Sequence, residues 1–389
     1  MNRLKEQIER KIDDIIKNVI SFRHNIHMYP ELGYEEVETT NKIIDILKRN
    51  NVQVDRFNDF TGAVAYISND CDKTIALRVD IDALPIQENT GLDFASKNEG
   101  VMHACGHDVH TSIGVGLAIL LNSFRKELRV NVKVIFQPAE ECSPKGGAKL
   151  LIEKGVLNNP EVSQVYGFHV WPTHKIGEIG IKAGPILAAS DRFKIIIYGR
   201  KSHAAEPHKG VDSISIGADI INAVEFKLKR EISALEPAVI SIGKISSSGR
   251  YNIICDHVEI EGTIRSLSEH NRNKIHERLK EIIHGITTAY GGSYEIDIIK
   301  GYDSVRNDEA LTLDFIKSAK EILGNDKVKT NIKASLIGED FSAFCKYKPS
   351  LYFHLGCDSK HPLHSDKFFA NDDTISVGLR LLGLFIVNM

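Results

Sequence analysis

The chain has 389 residues, with 49 Lys plus Arg against 52 Asp plus Glu and a formal net charge of −3. This length suggests two domains rather than a single hydrophobic core, and the near-neutral charge gives no support for nucleic acid or an anionic membrane as the partner. Hydrophobic residues make up 42% of the chain, which is ordinary for a soluble globular protein.

The N-terminal twenty residues form a pattern that predicts an amphipathic helix, because Leu4, Ile8, Ile12 and Ile15 recur at helical spacing with charges between them. A secretory signal would need an unbroken apolar run, and no stretch approaches transmembrane length. The six cysteines are scattered along the chain. Without a secretory signal they are expected to be thiols in a reducing compartment, so we expect a cytoplasmic protein.

Short apolar strands alternate with helices in the first half of the chain. The predicted elements are helix 36–49, strand 74–79, helix 108–124, strand 130–136, helix 146–154 and strand 163–170. Alternation of this kind predicts an α/β layered domain.

The pattern changes near residue 185 and reads as a βαββαβ module. Its elements are strand 191–199, helix 211–230, strand 238–246, strand 256–265, helix 268–289 and strand 293–300. That order is the ferredoxin-like arrangement. The chain then returns to helix 308–323, strand 350–355 and helix 372–386. We therefore predict one α/β domain from residues 1–185 and 301–389, with the module of residues 186–300 inserted into it.

Side chains of the kind that bind metals follow the predicted strands at four places. They are Asp80 and Asp82, Glu140 and Glu141, His169, and His364. In open α/β sheets, ligands bind outside the carboxyl ends of the strands. Four separate segments are therefore expected to deliver these side chains to one edge of the sheet.

Cys105 and His107 are two residues apart, just before the apolar helix 108–124. A thiolate and an imidazole at a tight turn suit zinc or a neighbouring transition metal, and Gly106 permits such a turn. The alternative is a helix N-terminus with incidental histidines.

Glu140 and Glu141 are adjacent carboxylates at the end of a predicted buried strand. Neighbouring strand residues point to opposite faces, but Pro138 and the end of the strand break that geometry, so both can line one site. The chemistry suggests one carboxylate on a metal and one free as a general base. A solvated loop is the alternative, although an acidic pair beside an apolar strand is costly unless cations match it.

Eight segments resemble, in chain order, the signatures of the hippurate hydrolase, aminoacylase and auxin-conjugate hydrolase family. They are residues 22–33, 78–85, 103–108, 137–141, 167–170, 199–208, 338–341 and 363–365. Each segment alone is a weak signal, but their order along nearly the whole chain makes the resemblance specific. It implies a two-domain metallohydrolase in which the inserted module is a lid and dimerisation domain.

The resemblance also implies the metal ligands. Cys105 is expected to bridge two divalent cations, which the sequence leaves open as zinc, manganese, cobalt or nickel. His107 and Glu141 are expected to complete one cation site, and His169 and His364 the other.

Further roles follow from the resemblance. Glu140 is implied as the general base, with Asp80 as a supporting carboxylate among the catalytic residues and Asp82 orienting a ligand imidazole. His203 is expected to approach the active site, that of the partner subunit in a homodimer. Asn252 and Arg265 match positions suited to gripping a substrate carboxylate.

The family commonly has proline at the position of Cys255, and Cys142 directly follows the expected ligand Glu141. Cys142 is either a spare thiol near the metals or, as we expect, a small buried residue. We also expect His110 to be a packing histidine.

The sequence therefore predicts metal-dependent hydrolysis of the amide bond of small N-acyl amino acids. The first alternative is a carboxypeptidase or dipeptidase with the same metals, and the second is a non-catalytic binding protein of this fold. The acyl group and the amino acid stay open.

Overall fold

Helices and strands alternate through most of the computed structural model, which describes residues 2–233 and 235–389. The helices are α1 (Asn2–Met28), α2 (Val37–Arg49), α3 (His107–Ser123), α4 (Gly147–Glu153), α5 (Ser213–Phe226), α6 (Glu269–Ala289), α7 (Glu309–Leu323), α8 (Ser342–Tyr347) and α9 (Asp373–Val387). The strands are β1 (Gln53–Arg56), β2 (Ala63–Ile67), β3 (Thr74–Asp80), β4 (Asn131–Gln137), β5 (Val162–Trp171), β6 (Ile179–Gly180), β7 (Gly184–Leu187), β8 (Ala189–Tyr198), β9 (Ser202–His203), β10 (Ala238–Ser247), β11 (Ile253–Ile254), β12 (His257–Ser266), β13 (Ser293–Lys300), β14 (Val305–Asn307), β15 (Val328–Lys329) and β16 (Ser350–Gly356).

The chain divides into two compact units. The first comprises residues 2–184, 306–333 and 340–389, and the second comprises residues 185–305 and 334–339. Residues 301–305 and 334–339 lie in the second unit, whereas the expected boundaries gave both segments to the first domain. Segment 334–339 joins the second unit through backbone contacts such as the bond from Ala188 N–H to the carbonyl of Ile337.

The first unit contains a mixed sheet with strand order β1-β2-β4-β3-β5-β16-β6-β15. Its central pairs are parallel: β4 with β3, β3 with β5, and β5 with β16. Every residue of β3, β4 and β16 is buried, which explains why these strands are rich in apolar residues and show no regular alternation with polar ones. Because the central strands are parallel, their carboxyl ends lie at the same edge of the sheet.

Helix α3 lies against this sheet and is buried along nearly its whole length, from His107 to Leu121. An apolar surface all round a helix is typical of burial on every side. Its glycines allow close packing, because a Cβ at Gly114 would meet Cγ2 of Val79 on β3 at 2.8 Å. The site-bearing start of α3 is therefore fixed against the end of β3.

The second unit contains a four-stranded antiparallel sheet with order β10-β12-β8-β13, together with α5 and α6. This is the predicted βαββαβ topology. Alternate residues of β12 are buried, among them Val258, Ile260 and Ile264, as one face of a two-faced strand requires. The Ser268 side chain caps α6 by accepting from Asn271 N–H, as its sequence predicts.

The predicted α/β architecture is confirmed, and the long elements begin and end within a few residues of their expected positions. None of the described helices is long and apolar enough to cross a bilayer.

Candidate metal centre

The turn between Cys105 and His107 places both side chains at the start of α3. Gly106 has φ +85°, and a Cβ there would meet Cγ2 of Val170 at 2.4 Å. Only glycine combines this left-handed backbone with so close an approach. The expected turn at Gly106 is therefore present.

The five expected metal ligands lie together in the first unit. Cys105 Sγ is 3.3 Å from Nε2 of His169 and 3.3 Å from Nε2 of His364. Nε2 of His364 is also 3.1 Å from Oε1 of Glu141, and its side chain is 50% exposed, so the site opens to solvent there.

Several groups of possible ligand atoms lie within 4.8 Å of one another, and two of these groups contain Cys105. One group is Cys105, His107 and His169; the other is Cys105, Glu141 and His364. Cys105 belongs to both, as a bridging ligand must. These two groups place His107 with His169 and Glu141 with His364, and a further group joins His107 with Glu140 and Glu141. The sequence resemblance paired His107 with Glu141 and His169 with His364, and the atoms of the first of those pairs also lie within 4.8 Å of one another.

Hydrogen bonds fix which nitrogen is available in the imidazoles of His107 and His169. Nδ1 of His107 is 3.0 Å from the carbonyl and 3.1 Å from Oδ1 of Asp82, and Nδ1 of His169 is 2.7 Å from the carbonyl of Val170. Carbonyl and carboxylate oxygens only accept, so Nδ1 carries the proton in both rings. Each Nε2 is left as the possible metal-binding atom.

The donor set fits divalent cations. Nε2 of His107 is buried and has no hydrogen-bond partner among the described residues. Burial opposes protonation of His107, but the carboxylates of Asp80 and Asp82 raise its pKa to about 10, so these carboxylates favour positive charge at this ring, which a cation on Nε2 would supply in place of a proton. Burial, with Glu141 and Glu140 nearby, raises the pKa of the Cys105 thiol well above its usual value. A thiolate is therefore stable at this position only with cations beside it.

Asp80 is buried and forms hydrogen bonds with two side chains near the candidate ligands. Arg78 donates to its Oδ2 at 2.6 Å, and Nδ1 of His110 lies 2.5 Å from its Oδ1. Nε2 of His110 accepts from the N–H of Val170 at 2.8 Å, so Nδ1 is the nitrogen that donates to Asp80. His110 is thus more than the packing residue we expected: it links Asp80 to the residue after His169. Its position three residues after His107 on the same helix face is the sequence signal that was available.

Glu140 lies next to this centre. It is 6% exposed, and its carboxylate lies in a group with His107 and Glu141 whose ligand atoms are within 4.8 Å of one another. The N–H of Asp340 donates to its Oε1 at 3.4 Å. Cys142 is half-buried, and burial together with Asp82 raises its pKa to about 11, so it behaves as a neutral thiol.

The three remaining candidate residues belong to the second unit. Nδ1 of His203 on β9 accepts from the N–H of Ala205 at 3.1 Å, so its Nε2 carries the proton. The carbonyl of Asn252 accepts from Ala204 N–H at 3.1 Å, which ties it to the His203 turn. Arg265 on β12 is half-buried, and burial lowers its pKa. The structure thus brings the metal ligands and Glu140 together in one unit and carries His203, Asn252 and Arg265 on the other.

Comparison with known proteins gives a consistent result. Residues 76–388 match the model of peptidase family M20/M25/M40. Thermostable carboxypeptidase 1 of Saccharolobus solfataricus is 37% identical over 383 residues, which cover 96% of each chain. N-acetylcysteine deacetylase of Bacillus subtilis is 38% identical over 362 residues, covering 92% of this chain and 93% of the relative. The crystal structure of the Bacillus subtilis YXEP protein, described as a dinuclear metal binding peptidase from the M20 family, superimposes with a TM-score of 0.85 at 34% identity, covering 97% and 98% of the two chains.

Proposed function

The chain belongs to peptidase family M20/M25/M40, and on that premise we propose that it hydrolyses the amide bond of N-acyl amino acids to a carboxylate and a free amino acid. The observation that carries the proposal is the pair of ligand groups sharing Cys105, with Glu140 beside them. The likeness to N-acetylcysteine deacetylase supports the same reaction class.

We propose two divalent cations per subunit, held by Cys105 with His107 and His169, and by Cys105 with Glu141 and His364. The likeness to a dinuclear metal binding peptidase supports the number two. Thiolate, imidazole and carboxylate ligands suit zinc, manganese, cobalt or nickel. When bound, such cations supply Lewis acidity that polarises the amide carbonyl and makes water easier to deprotonate.

The protein side chains carry out proton transfer, oxyanion stabilisation and substrate binding. Glu140 takes a proton from the attacking water and returns it to the leaving amine, while the N–H of Asp340 restrains its carboxylate. His203 donates its Nε2–H to the developing oxyanion, a role that its bond from Ala205 N–H supports. Arg265, with Asn252, holds the carboxylate of the amino-acid part. Asp80 and Asp82 support and orient the ligand imidazoles.

We propose that the working form is a homodimer in which His203 serves the partner's site. Strands β10 and β13 are the edges of the second unit's sheet, and β10 exposes Val239 and Ile245. Such edges are ready surfaces for a second copy. The six free cysteines support a reducing compartment, so we propose that the reaction takes place in the cytoplasm.

Peptide hydrolysis by the same centre is the second candidate, because thermostable carboxypeptidase 1 is 37% identical over 96% of the chain. The test is a panel of N-acetyl and N-benzoyl amino acids against dipeptides and longer peptides, run with Zn²⁺, Mn²⁺, Co²⁺ and Ni²⁺ in turn. The proposal expects higher kcat/KM for acyl amino acids. Higher values for peptides would favour the carboxypeptidase, and no hydrolysis with metal bound would favour a binding protein.

A further inference from the structure

The loop after β4 must present two consecutive carboxylates, Glu140 and Glu141, on the same side. An extended chain would send neighbouring side chains to opposite sides. The chain turns sharply just before the pair, at Ala139, whose φ of +56° lies in the left-handed region. A residue with a Cβ adopts that conformation only when its surroundings compensate for the strain.

The contact that holds Ala139 comes from Glu36, which is fully buried. Oε1 of Glu36 accepts from the N–H of Ala139 at 2.8 Å, and its Oε2 accepts from the hydroxyl of Thr61 at 2.6 Å. Two residues further on, the N–H of Glu141 donates to Oδ2 of Asp82 at 2.9 Å. Glu140 therefore sits between two peptide N–H groups that buried carboxylates fix in place.

Glu36 does not serve the helix that it precedes. Although it is the N-cap residue of α2, its side chain makes no capping hydrogen bond. The first free N–H groups of α2, those of Glu38 and Thr39, are instead satisfied by the carboxylate of Glu31 at 3.0 and 2.7 Å. Helix capping thus falls to Glu31, and the side chain of Glu36 is directed to the loop after β4.

Keeping this carboxylate buried is unfavourable. Among the described residues, the groups that act most strongly on Glu36 include no cation: burial together with Asp82 raises its pKa to about 7, against the hydrogen bonds from Thr61 and Ala139. A fold that needed only stability at this position would be better served by a neutral residue.

Building on the proposed function, we propose that Glu36 is a positioning residue for the reaction. Its carboxylate holds Ala139 in the left-handed conformation and so fixes the direction in which the chain reaches Glu140 and Glu141. The sequence gives no hint of this role, because the contact joins residues 103 positions apart.

The test compares E36A, E36Q, the matched control E31A, and A139G alone and combined with E36A. E36A should lower kcat about 10–100-fold with a smaller change in KM, because small displacements of a catalytic group cost rates of this order. E36Q should keep most of the activity, since its amide can accept from Ala139 and donate to Thr61. E31A removes a helix cap and should lower the melting temperature without lowering kcat.

Rescue separates positioning from general stability. Glycine adopts positive φ without a steric penalty, so A139G should restore part of the kcat that E36A loses, while changing kcat little in the wild-type background. Equal losses of kcat in E31A and E36A, or no rescue by A139G, would overturn the proposal. If E36A does not fold, E36D takes its place, because its shorter side chain keeps the charge but loses the reach to Ala139; wild-type kcat in folded E36D would also overturn it.

A readout independent of turnover distinguishes this proposal from the proposed function. Titration with Co²⁺, followed by its visible absorption, should show weaker binding of one cation in E36A than in E31A, because Glu141 lies on the same loop. If the wild-type protein hydrolyses no N-acyl amino acid, the proposed function fails while this titration still tests Glu36. Unchanged Co²⁺ binding, with Ala139 still left-handed in a crystal structure of E36A, would refute the positioning role.

Discussion

Asp82 contacts two of the metal-type ligands at once. Its Oδ1 is 3.1 Å from Nδ1 of His107, and its Oδ2 accepts from the N–H of Glu141 at 2.9 Å. One carboxylate therefore sets the ring orientation of a histidine and the backbone position of a ligand on another segment. Such outer contacts determine how well ligands are aligned before a cation arrives.

The adjacent carboxylates are expected to respond differently to the same change. Glu140→Gln should keep both cations and lose about 10²–10⁴-fold in kcat, because it removes a general base. Glu141→Gln should also lose cation affinity, since Glu141 belongs to the ligand group with Cys105 and His364. Metal content by mass spectrometry and steady-state kinetics measure both effects. Loss of metal in Glu140→Gln with retention in Glu141→Gln would reverse the two assignments.

Bound metal is expected to keep Cys105 as a thiolate and to protect it from alkylation. Prolonged chelation should abolish hydrolysis, and added divalent metal should restore it. Iodoacetamide applied after chelation should alkylate Cys105 and prevent reconstitution, whereas bound metal should block labelling. Cys71, half-buried and remote from the ligand groups in sequence, is the internal reference for labelling. Equal Cys105 labelling with and without metal would contradict a bridging role.

At the scale of elements, β5 extends beyond the last residue that pairs with its neighbour β3. The pairing of β3 with β5 ends at Leu77 and Tyr166, so the N–H of Val170 has no partner from that strand. His110 on α3 supplies the acceptor at 2.8 Å. The histidine thereby connects the first turn of α3 to the part of β5 that carries His169.

Replacing His110 by alanine should weaken one cation site more than the other. His169 belongs to the ligand group with Cys105 and His107, so loosening β5 at Val170 should lower the affinity of that site by about 10–100-fold. The second group, with Glu141 and His364, should bind nearly as before. Titration calorimetry with Zn²⁺ resolves the two steps. Equal weakening of both sites would indicate general disruption of the fold.

The sequence predicts an element well when the residues of that element alone show a clear pattern, and poorly when the structure depends on contacts with distant residues. The strands β3 and β4 and helix α3 are rich in apolar residues, and their sequences alone give their type and approximate ends. The four- and five-residue strands β1 and β2 were not predicted, because so short a run has no clear period. The ligand residues were recognisable by type and by position after strands, but their grouping, and the contacts of Glu36 and His110, depend on neighbours distant in sequence.

The second unit has a buried ionic centre with a defined pH response. Asp191 accepts from Arg272, from His276 at 2.7 Å and from the N–H of Gly301 at 3.1 Å. Burial raises the pKa of Asp191, but the opposing effect of Arg272 and His276 is larger. The pKa of Asp191 therefore lies below its ordinary value of 3.8. A carboxyl with a depressed pKa stabilises the fold above its ordinary pKa, and that stabilisation is lost as the pH falls below it.

Asp191→Asn should therefore destabilise the second unit by roughly 3 kcal/mol at pH 7, since it leaves a buried guanidinium partly uncompensated. The difference from wild type should shrink as the pH falls below about 3.8. Hydrogen exchange of α6, which carries Arg272 and His276, measures the effect at each pH. The exposed pair Asp59–Lys154 provides the control, because Asp59→Asn should leave protection unchanged. A difference that stays constant down to pH 3 would contradict the role of the Asp191 charge.

At the scale of the whole molecule, the candidate residues are divided between two units. Glu140 and the candidate metal ligands are in the first unit, and His203 is in the second. In the proposed homodimer, which would pair through the edges of the second unit's sheet, a complete site would draw on two chains. Because Glu140 and His203 lie in different units, mixing a variant that lacks one with a variant that lacks the other tests whether a site uses two chains.

Subunit exchange between His203→Ala and Glu140→Gln is the decisive experiment for the proposed dimer. Each variant alone should be nearly inactive, because each lacks one catalytic group at every site. In a heterodimer, one site carries intact Glu140 in its own chain and receives intact His203 from its partner. With equal mixing and random exchange, about half of the dimers are heterodimers with one working site of two, so about a quarter of wild-type activity should return. If His203 acts within its own chain, every site keeps a defect and no activity returns. Mass spectrometry of differently tagged subunits confirms that exchange has occurred. An exchanged mixture without activity would exclude action of His203 across the dimer, but it would not contradict the proposed metal-dependent hydrolysis.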